Sequence, residues 1–405
     1  MAITRSQGIK EINIGVETCN DGISIDESLF ANLDYEHTYL EQVRSMFDRN
    51  LSDWRKTKLP VGFRFLDSGF YNPIYFNPKS NFKITQEGDK FFLVKGNGSD
   101  FSAEIEIEHK PDFYNKQTSD GKDMSRIVQS VSRGRLFIAY SNECSLKDKG
   151  QDCLFCNIND TSRRFCKVDN IEWKTPSQIG ESVAEAYREG FIGFNLTGGF
   201  IPERREVDYY IDVIDSVKEH SDVPEDQIHG FACIGATSDL SIIEKYREAG
   251  YQHIGTNMEI WDENLFKYIC PGKELQCGGR KNWINALKHE VSVFGKGKVR
   301  SNFVGGLEHK ESLLEGIETL AGLGVIAVAT IWNPRIGSAL EGHRSPDSEW
   351  HQEVQYRIYQ ILKKNGYTLE DLYYVSGENN TVGHYFALDG EHLPWEKPLE
   401  VIASA

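Results

Sequence analysis

The spacing of apolar residues changes near residue 131. Before that point, Asp26–Asn50 is polar, with Leu40, Val43 and Phe47 on one face, and predicts a helix. From Pro60 to His109, short aromatic and β-branched runs alternate with polar residues and stop at turns. Asn81–Thr85, Lys90–Val94 and Phe101–Ile107 predict strands; Glu87-Gly88-Asp89 and Gly96-Asn97-Gly98 predict the turns between them. A small antiparallel sheet follows from this pattern, and Lys110–Lys122 forms a charged connector.

After 131 the pattern is one of apolar strand runs separated by amphipathic helices. Leu136–Tyr140, Ile192–Leu196, Gly230–Ile234, His253–Met258, Val299–Val304 and Val325–Ile331 predict strands. Ser177–Glu189, Asp208–Glu219, Leu240–Ala249, Trp283–Val293, Leu313–Leu323 and Glu349–Lys364 predict helices. Such alternation implies parallel strands joined by right-handed crossovers. The expected fold is therefore α/β: a parallel (β/α) TIM-type barrel, or part of one, with an N-terminal β-rich appendage. Leu372–Val375 offers a seventh strand. The expected boundaries are an accessory region over 1–130, a barrel over 131–366, and an extension over 367–405 that closes or caps it. Loops at the strand carboxyl ends then carry the site.

Composition narrows the function. The net charge is −16, which disfavours nucleic acid and anionic membrane as partners. No apolar run reaches the roughly 18 residues that a spanning helix needs. The first residues lack the apolar segment of a signal peptide. Eight cysteines without framework spacing suit a reducing cytoplasm. The 11 histidines form no H-x-H or H-E-x-x-H pair, so a metal-dependent barrel hydrolase or aldolase lacks its ligand set.

Three of the cysteines, Cys144, Cys153 and Cys156, share one loop directly after the first barrel strand. Structural zinc takes four closed ligands. A cubane iron–sulfur cluster on three thiolates keeps one iron open. Cys166 extends the set to four and leaves a four-cysteine zinc site, in a binding or scaffold protein, as the alternative. Among the other cysteines, Cys270 and Cys277 read as plain residues, Cys19 has no companion, and Cys233 alone suggests no second cluster.

The loop resembles that of radical S-adenosylmethionine (SAM) enzymes. Cys153-Leu154-Phe155-Cys156 matches the family's C-x-aromatic-C, after a longer first gap than is usual there. Further matches follow in order at predicted strand ends. Gly198-Gly199 resembles the glycine motif that binds the methionyl end of SAM, with Phe200 where the family has an acid. Asn257-Met258-Glu259 resembles the Asn-x-Asp with which biotin synthase and its relatives hold the ribose. Gly305-Gly306-Leu307-Glu308 resembles the G-x-x-E tail beside the adenine. Asn333–Pro346 resembles a loop of biotin-synthase-like proteins. The likeness also extends to the [FeFe]-hydrogenase maturase group.

The resemblance implies an oxygen-sensitive cytoplasmic enzyme with a 4Fe–4S cluster on Cys144, Cys153 and Cys156. It implies SAM held by Phe155, Gly198, Gly199, Asn257, Glu259 and Glu308, and reduction by a flavodoxin- or ferredoxin-like donor. A 5′-deoxyadenosyl radical would then take hydrogen from a small polar substrate contacted by Arg300, Arg335, His343 and Arg344. The step after hydrogen abstraction stays open among rearrangement, bond cleavage and insertion.

Overall fold

The computed structural model describes residues 2–30, 60–141, 143–158, 171, 173–378 and 380–402. Among these, the strands are β1 (Ala2–Thr4), β2 (Gly62–Phe65), β3 (Tyr71–Pro73), β4 (Phe82–Glu87), β5 (Lys90–Lys95), β6 (Phe101–Ile107) and β7 (Gln129–Ser132). They continue as β8 (Arg135–Ala139), β9 (Gly193–Thr197), β10 (His229–Ile234), β11 (His253–Thr256), β12 (Val299–Gly305), β13 (Val325–Ile331) and β14 (Glu400–Ile402). The main helices are α1 (Arg5–Asp21), α2 (Pro176–Arg188), α3 (Glu203–His220), α4 (Ile242–Ala249), α5 (Gly279–Phe294), α6 (Lys310–Gly322), α7 (Ser348–Lys364), α8 (Leu369–Ser376) and α9 (Thr381–Leu388).

Strands β8 to β13 lie side by side in chain order and are parallel throughout, as the alternating pattern predicts. Strand β7 adds an antiparallel edge. The sheet is open and curled, a half-barrel with helices α2 to α6 as its crossovers and α7 after its last strand. Strands buried on both faces are read as continuous apolar runs. Val325-Ile-Ala-Val-Ala-Thr-Ile331 is such a run, buried from Val325 through Ala329. Helix α2 starts where its sequence instructs it to. Thr175 accepts from the Gln178 amide, Gln178 Oε1 accepts from the Thr175 amide, and Pro176 fills the first turn.

Strands β2 to β6 form a separate five-stranded antiparallel sheet in the order β3-β2-β6-β5-β4. Gly88 and Gly98 take positive φ at its expected turns. Strand β1 pairs in parallel with β14. Helix α1, which follows β1, does not figure among the elements expected from the sequence. The predicted helix over Asp26–Asn50 lies mostly outside the described residues.

One expectation is overturned. Leu372–Val375 is not a strand but the middle of α8. Thr368 and Asp371 form a capping box that starts a helix there, and this local signal outweighs the apolar run. Helix α8 lies across the starts of β10 and β11, where Tyr374 stacks on His253 with ring centroids 5.4 Å apart. The antiparallel sheet packs on α9 through Phe70 and His384, stacked at 4.5 Å. Arg64 reinforces this packing through ion pairs with Glu108 and Glu378, each at 2.6 Å.

Candidate functional site

Beyond the carboxyl ends of β8 to β11 lies a cavity of about 180 Å³. Its wall includes Cys144, Cys153, Cys156, Phe155, Gly198, Gly199, Asn257 and Glu259, so eight of the residues singled out from sequence meet in one place.

The cysteine loop is pinned from three sides. Ser145 donates from its amide and hydroxyl to the Phe200 carbonyl at 2.8 and 3.1 Å, joining the loop to the exit of β9. The Leu154 amide donates to Ile269, and the Leu154 carbonyl accepts from Leu340. The Gly272 amide donates to Gln151. The two glycines make these contacts possible. A Cβ at Gly199 would stand 2.0 Å from the Glu143 carbonyl, and one at Gly198 would strike the Tyr140 ring at 2.4 Å. The glycines therefore serve close approach of the β9 exit to the cysteine loop.

Asn257 and Glu259 follow β11, which stops at Thr256. Ser301 ends the ladder: its hydroxyl donates to the Thr256 carbonyl and accepts from the Met258 amide, each at 2.9 Å. Glu259 then takes φ 65, the left-handed region that non-glycine residues rarely enter. Its backbone is held there by bonds with Asn302 and Val304. Its carboxylate accepts from Lys273 Nζ at 3.0 Å, and the same ammonium donates to the Asn257 carbonyl at 3.0 Å. Burial alone would lower the Lys273 ammonium, but Glu259 and the nearby thiols of Cys153 and Cys270 hold it above the usual lysine range. Lys273 also lies over the Trp283 ring. The Asn257 side chain is oriented from both ends, accepting from the Asn302 amide at 3.2 Å and facing the Cys233 sulfur at 3.6 Å.

Sequence reasoning missed Lys273, Cys233 and Trp283, which line the cavity, and Cys270 behind it. Cys270 is fully buried, and its hydrogen bond with the Cys153 thiol, together with burial, pushes that thiol well above its ordinary range. The remaining selected residues lie elsewhere. Glu308 is outside the cavity and accepts from the Trp261 and Asp262 amides and the Ser312 hydroxyl, which shapes the loop after β11. Arg300 lines a neighbouring cavity. Arg335, His343 and Arg344 line neither, and the last two are exposed.

The donor set fits an iron–sulfur cluster. Three thiols face one cavity whose opposite wall is glycine backbone, amide and carboxylate. Among the described residues, no three Cys, His, Asp or Glu side chains gather around one point as a mononuclear ion requires. A cluster takes its thiolates on separate irons and needs no such gathering. Cys166, the fourth ligand of the zinc alternative, lies outside the described residues. No helix among those described is long and apolar enough to cross a membrane.

No family model matches the chain. Bacteriochlorophyllide c C-7(1)-hydroxylase of Chlorobaculum limnaeum is 24% identical over 262 residues, covering 61% of this chain and 64% of its own. The 5-amino-6-(D-ribitylamino)uracil–L-tyrosine 4-hydroxyphenyl transferase of Methanopyrus kandleri is 31% identical over 176 residues, covering 38% of this chain and 46% of its own. The chain thus spans less than two thirds of the length of these curated relatives. Among solved structures, coproporphyrinogen III oxidase from Escherichia coli, described as a radical SAM enzyme, is 11% identical with a TM-score of 0.38, covering 57% of this chain and 52% of its own. The chain is thus similar in sequence to these enzymes over part of its length, and it forms a parallel half-barrel whose cysteine loop, glycine pair and Asn-x-Glu exit share one cavity.

Proposed function

We propose that this chain is a radical SAM enzyme whose 4Fe–4S cluster is held by Cys144, Cys153 and Cys156 and whose SAM lies against Gly198, Gly199, Asn257 and Glu259. The observation that carries this reading is the meeting of those residues, from three separate segments, around one cavity at the strand carboxyl ends. Bound there, cluster and SAM supply a radical able to take hydrogen from an unactivated carbon.

The chain's own residues bind, orient and exclude water. The amides at the β9 exit face the methionyl end of SAM. Asn257 and Glu259 offer one amide and one carboxylate to adjacent ribose hydroxyls. Lys273 fixes the Glu259 carboxylate and offsets its charge at a site where both are largely buried. Phe155 and Phe200 make part of the wall apolar and help keep it dry. Glu308 acts through the loop it shapes. A flavodoxin- or ferredoxin-like donor supplies the electron. The substrate is a small polar molecule, and the antiparallel sheet with the C-terminal helices α8 and α9 forms an accessory wall beside the barrel.

Anaerobic reconstitution tests this reading. The loaded chain should be brown, carry about four irons, absorb near 400 nm as such clusters do, and release 5′-deoxyadenosine from SAM on reduction. Replacing any of Cys144, Cys153 or Cys156 by alanine should abolish all four signals, while Cys166→Ser should spare them. A colourless chain with stoichiometric zinc that is lost in the Cys166→Ser variant would overturn it.

A further inference from the structure

A second cavity, of about 190 Å³, lies inside the half-barrel beside β12 and β13. It shares a wall with the first. Asn257 and Cys233 face the thiol cavity, while Arg300 and Asn302 face this one. The Asn302 amide donates to Asn257, and the Arg300 guanidinium interacts with the Cys233 thiol.

Arg300 is a half-buried cation on the inner side of β12 that makes no ion pair among the described residues. Buried charges ordinarily have a paired opposite charge. Arg300 Nη1 donates to the Val375 carbonyl at 2.9 Å, and the guanidinium lies 4.5 Å from the Phe231 ring centre. Its Nε has no partner, and it makes no ion pair with any described carboxylate. Ser376, on the same cavity, also has a buried hydroxyl without a partner. Deeper in the barrel Arg135 is 1% exposed, bonded only to the Asn195 side chain and the His229 carbonyl, and again without a carboxylate. Neither guanidinium makes an ion pair with a described carboxylate, and Glu259 acts on Arg300 only from a distance.

The far wall comes from outside the six parallel strands. Cys19 and Tyr75 come from the N-terminal region, and Ser376, Asn380 and Thr381 from the junction of α8 and α9. These segments cover the open side of the half-barrel and enclose the cation.

We propose that this second cavity takes an anionic group of the substrate, a carboxylate or phosphate, on Arg300 with Ser376 as a neutral donor, and so places the rest of the substrate toward the thiol cavity. The proposal rests on the enzyme reading above and adds the charge class of the substrate and the place where that charge docks. A carboxylate would accept two parallel bonds from a guanidinium, which is the geometry Arg favours. The Phe231 ring beside the guanidinium, and Val328 and Ala329 in the cavity wall, would strengthen such bonds by excluding water.

The test is a thermal titration of the reconstituted full chain with sodium phosphate, sodium acetate and sodium succinate, against sodium chloride at matched ionic strength. At least one oxyanion should raise the melting temperature saturably, and the phosphate and carboxylate arms identify which group the cavity prefers. Arg300→Met should remove the shift, and Ser376→Ala should weaken it at least threefold in apparent affinity. Should Arg300→Met fail to fold, Arg300→Lys serves: a shortened single-point cation should retain a weaker, single-site response. The inference is overturned if no oxyanion exceeds chloride, or if the variants respond as the parent chain does. Iron content and 5′-deoxyadenosine release, measured on the same samples, separate the two ideas. A loaded, SAM-cleaving chain without an oxyanion response removes only the subsite. An oxyanion response in a chain that takes up no iron removes only the enzyme reading.

Discussion

Replacing Glu290 by glutamine should stabilise the protein, and only above acidic pH. Glu290 on α5 is fully buried, and its single bond is from the Thr256 hydroxyl; its other oxygen has no partner. Burial pushes its carboxyl up from 4.5 to about 8. The sign follows from proton binding. Between those two values the folded chain keeps a proton that the unfolded chain has released, so stability is intact below pH 4.5 and declines until the pH passes about 8. At about 1.4 kcal/mol per pH unit, the cost at pH 7 is about 3 kcal/mol. Glutamine keeps an acceptor for Thr256 and never ionises. For a chain of this length, about 3 kcal/mol corresponds to roughly 3 °C in melting temperature. Melts of Glu290→Gln and the parent chain from pH 5 to 8 should therefore nearly coincide at pH 5 and diverge steadily, the variant melting higher. A constant offset across the range, or none, would refute the assignment of a protonated buried carboxyl.

Three further perturbations probe the site and its scaffold. Gly199→Ala drives a methyl into the Glu143 carbonyl, so it should cost about 1–3 kcal/mol in stability and lower iron uptake, read by melting and metal analysis. Lys273→Met strands Glu259, whose side chain is 13% exposed, and should cost about 3–5 kcal/mol and weaken SAM binding; adding Glu259→Gln should recover part of the stability, measured as a double-mutant cycle. His384 is held neutral, its pKa lowered to about 3 by burial and then by Arg64, so its contribution is complete above its ordinary 6.5 and is lost as pH falls toward 3. At pH 5 the loss is about 2 kcal/mol, and His384→Leu should flatten that acid limb in a melting series.

The six parallel strands were legible because each keeps a short apolar core, clearest in β13, set off by amphipathic helices, and that alternation survives in the sequence alone. Helix α1 was not, because Gly8 and Gly15 interrupt its pattern. Both glycines answer to tertiary neighbours: a Cβ at Gly15 would stand 2.1 Å from the Asn72 side chain, far along the chain. Helix α8 could have been found, since Thr368 and Asp371 carry the box that begins it. The cysteines, Gly198-Gly199 and Asn257 with Glu259 were visible as motifs at strand ends. Lys273 was not, since it meets Glu259 only after two short helices, Glu263–Ile269 and Pro271–Gln276, fold the chain back. The Cys153–Cys270 contact is hidden for the same reason.

The three-sided pinning of the cysteine loop has a consequence for how metal loading would be felt. The amides of Leu154, Leu340 and Gly272 all close bonds between that loop and other segments. Anything that stiffens the thiols slows the opening of these distant contacts together. Hydrogen–deuterium exchange should thus show residues 269–272 and 340 gaining protection along with the loop on cluster insertion, as a footprint spread over three parts of the chain.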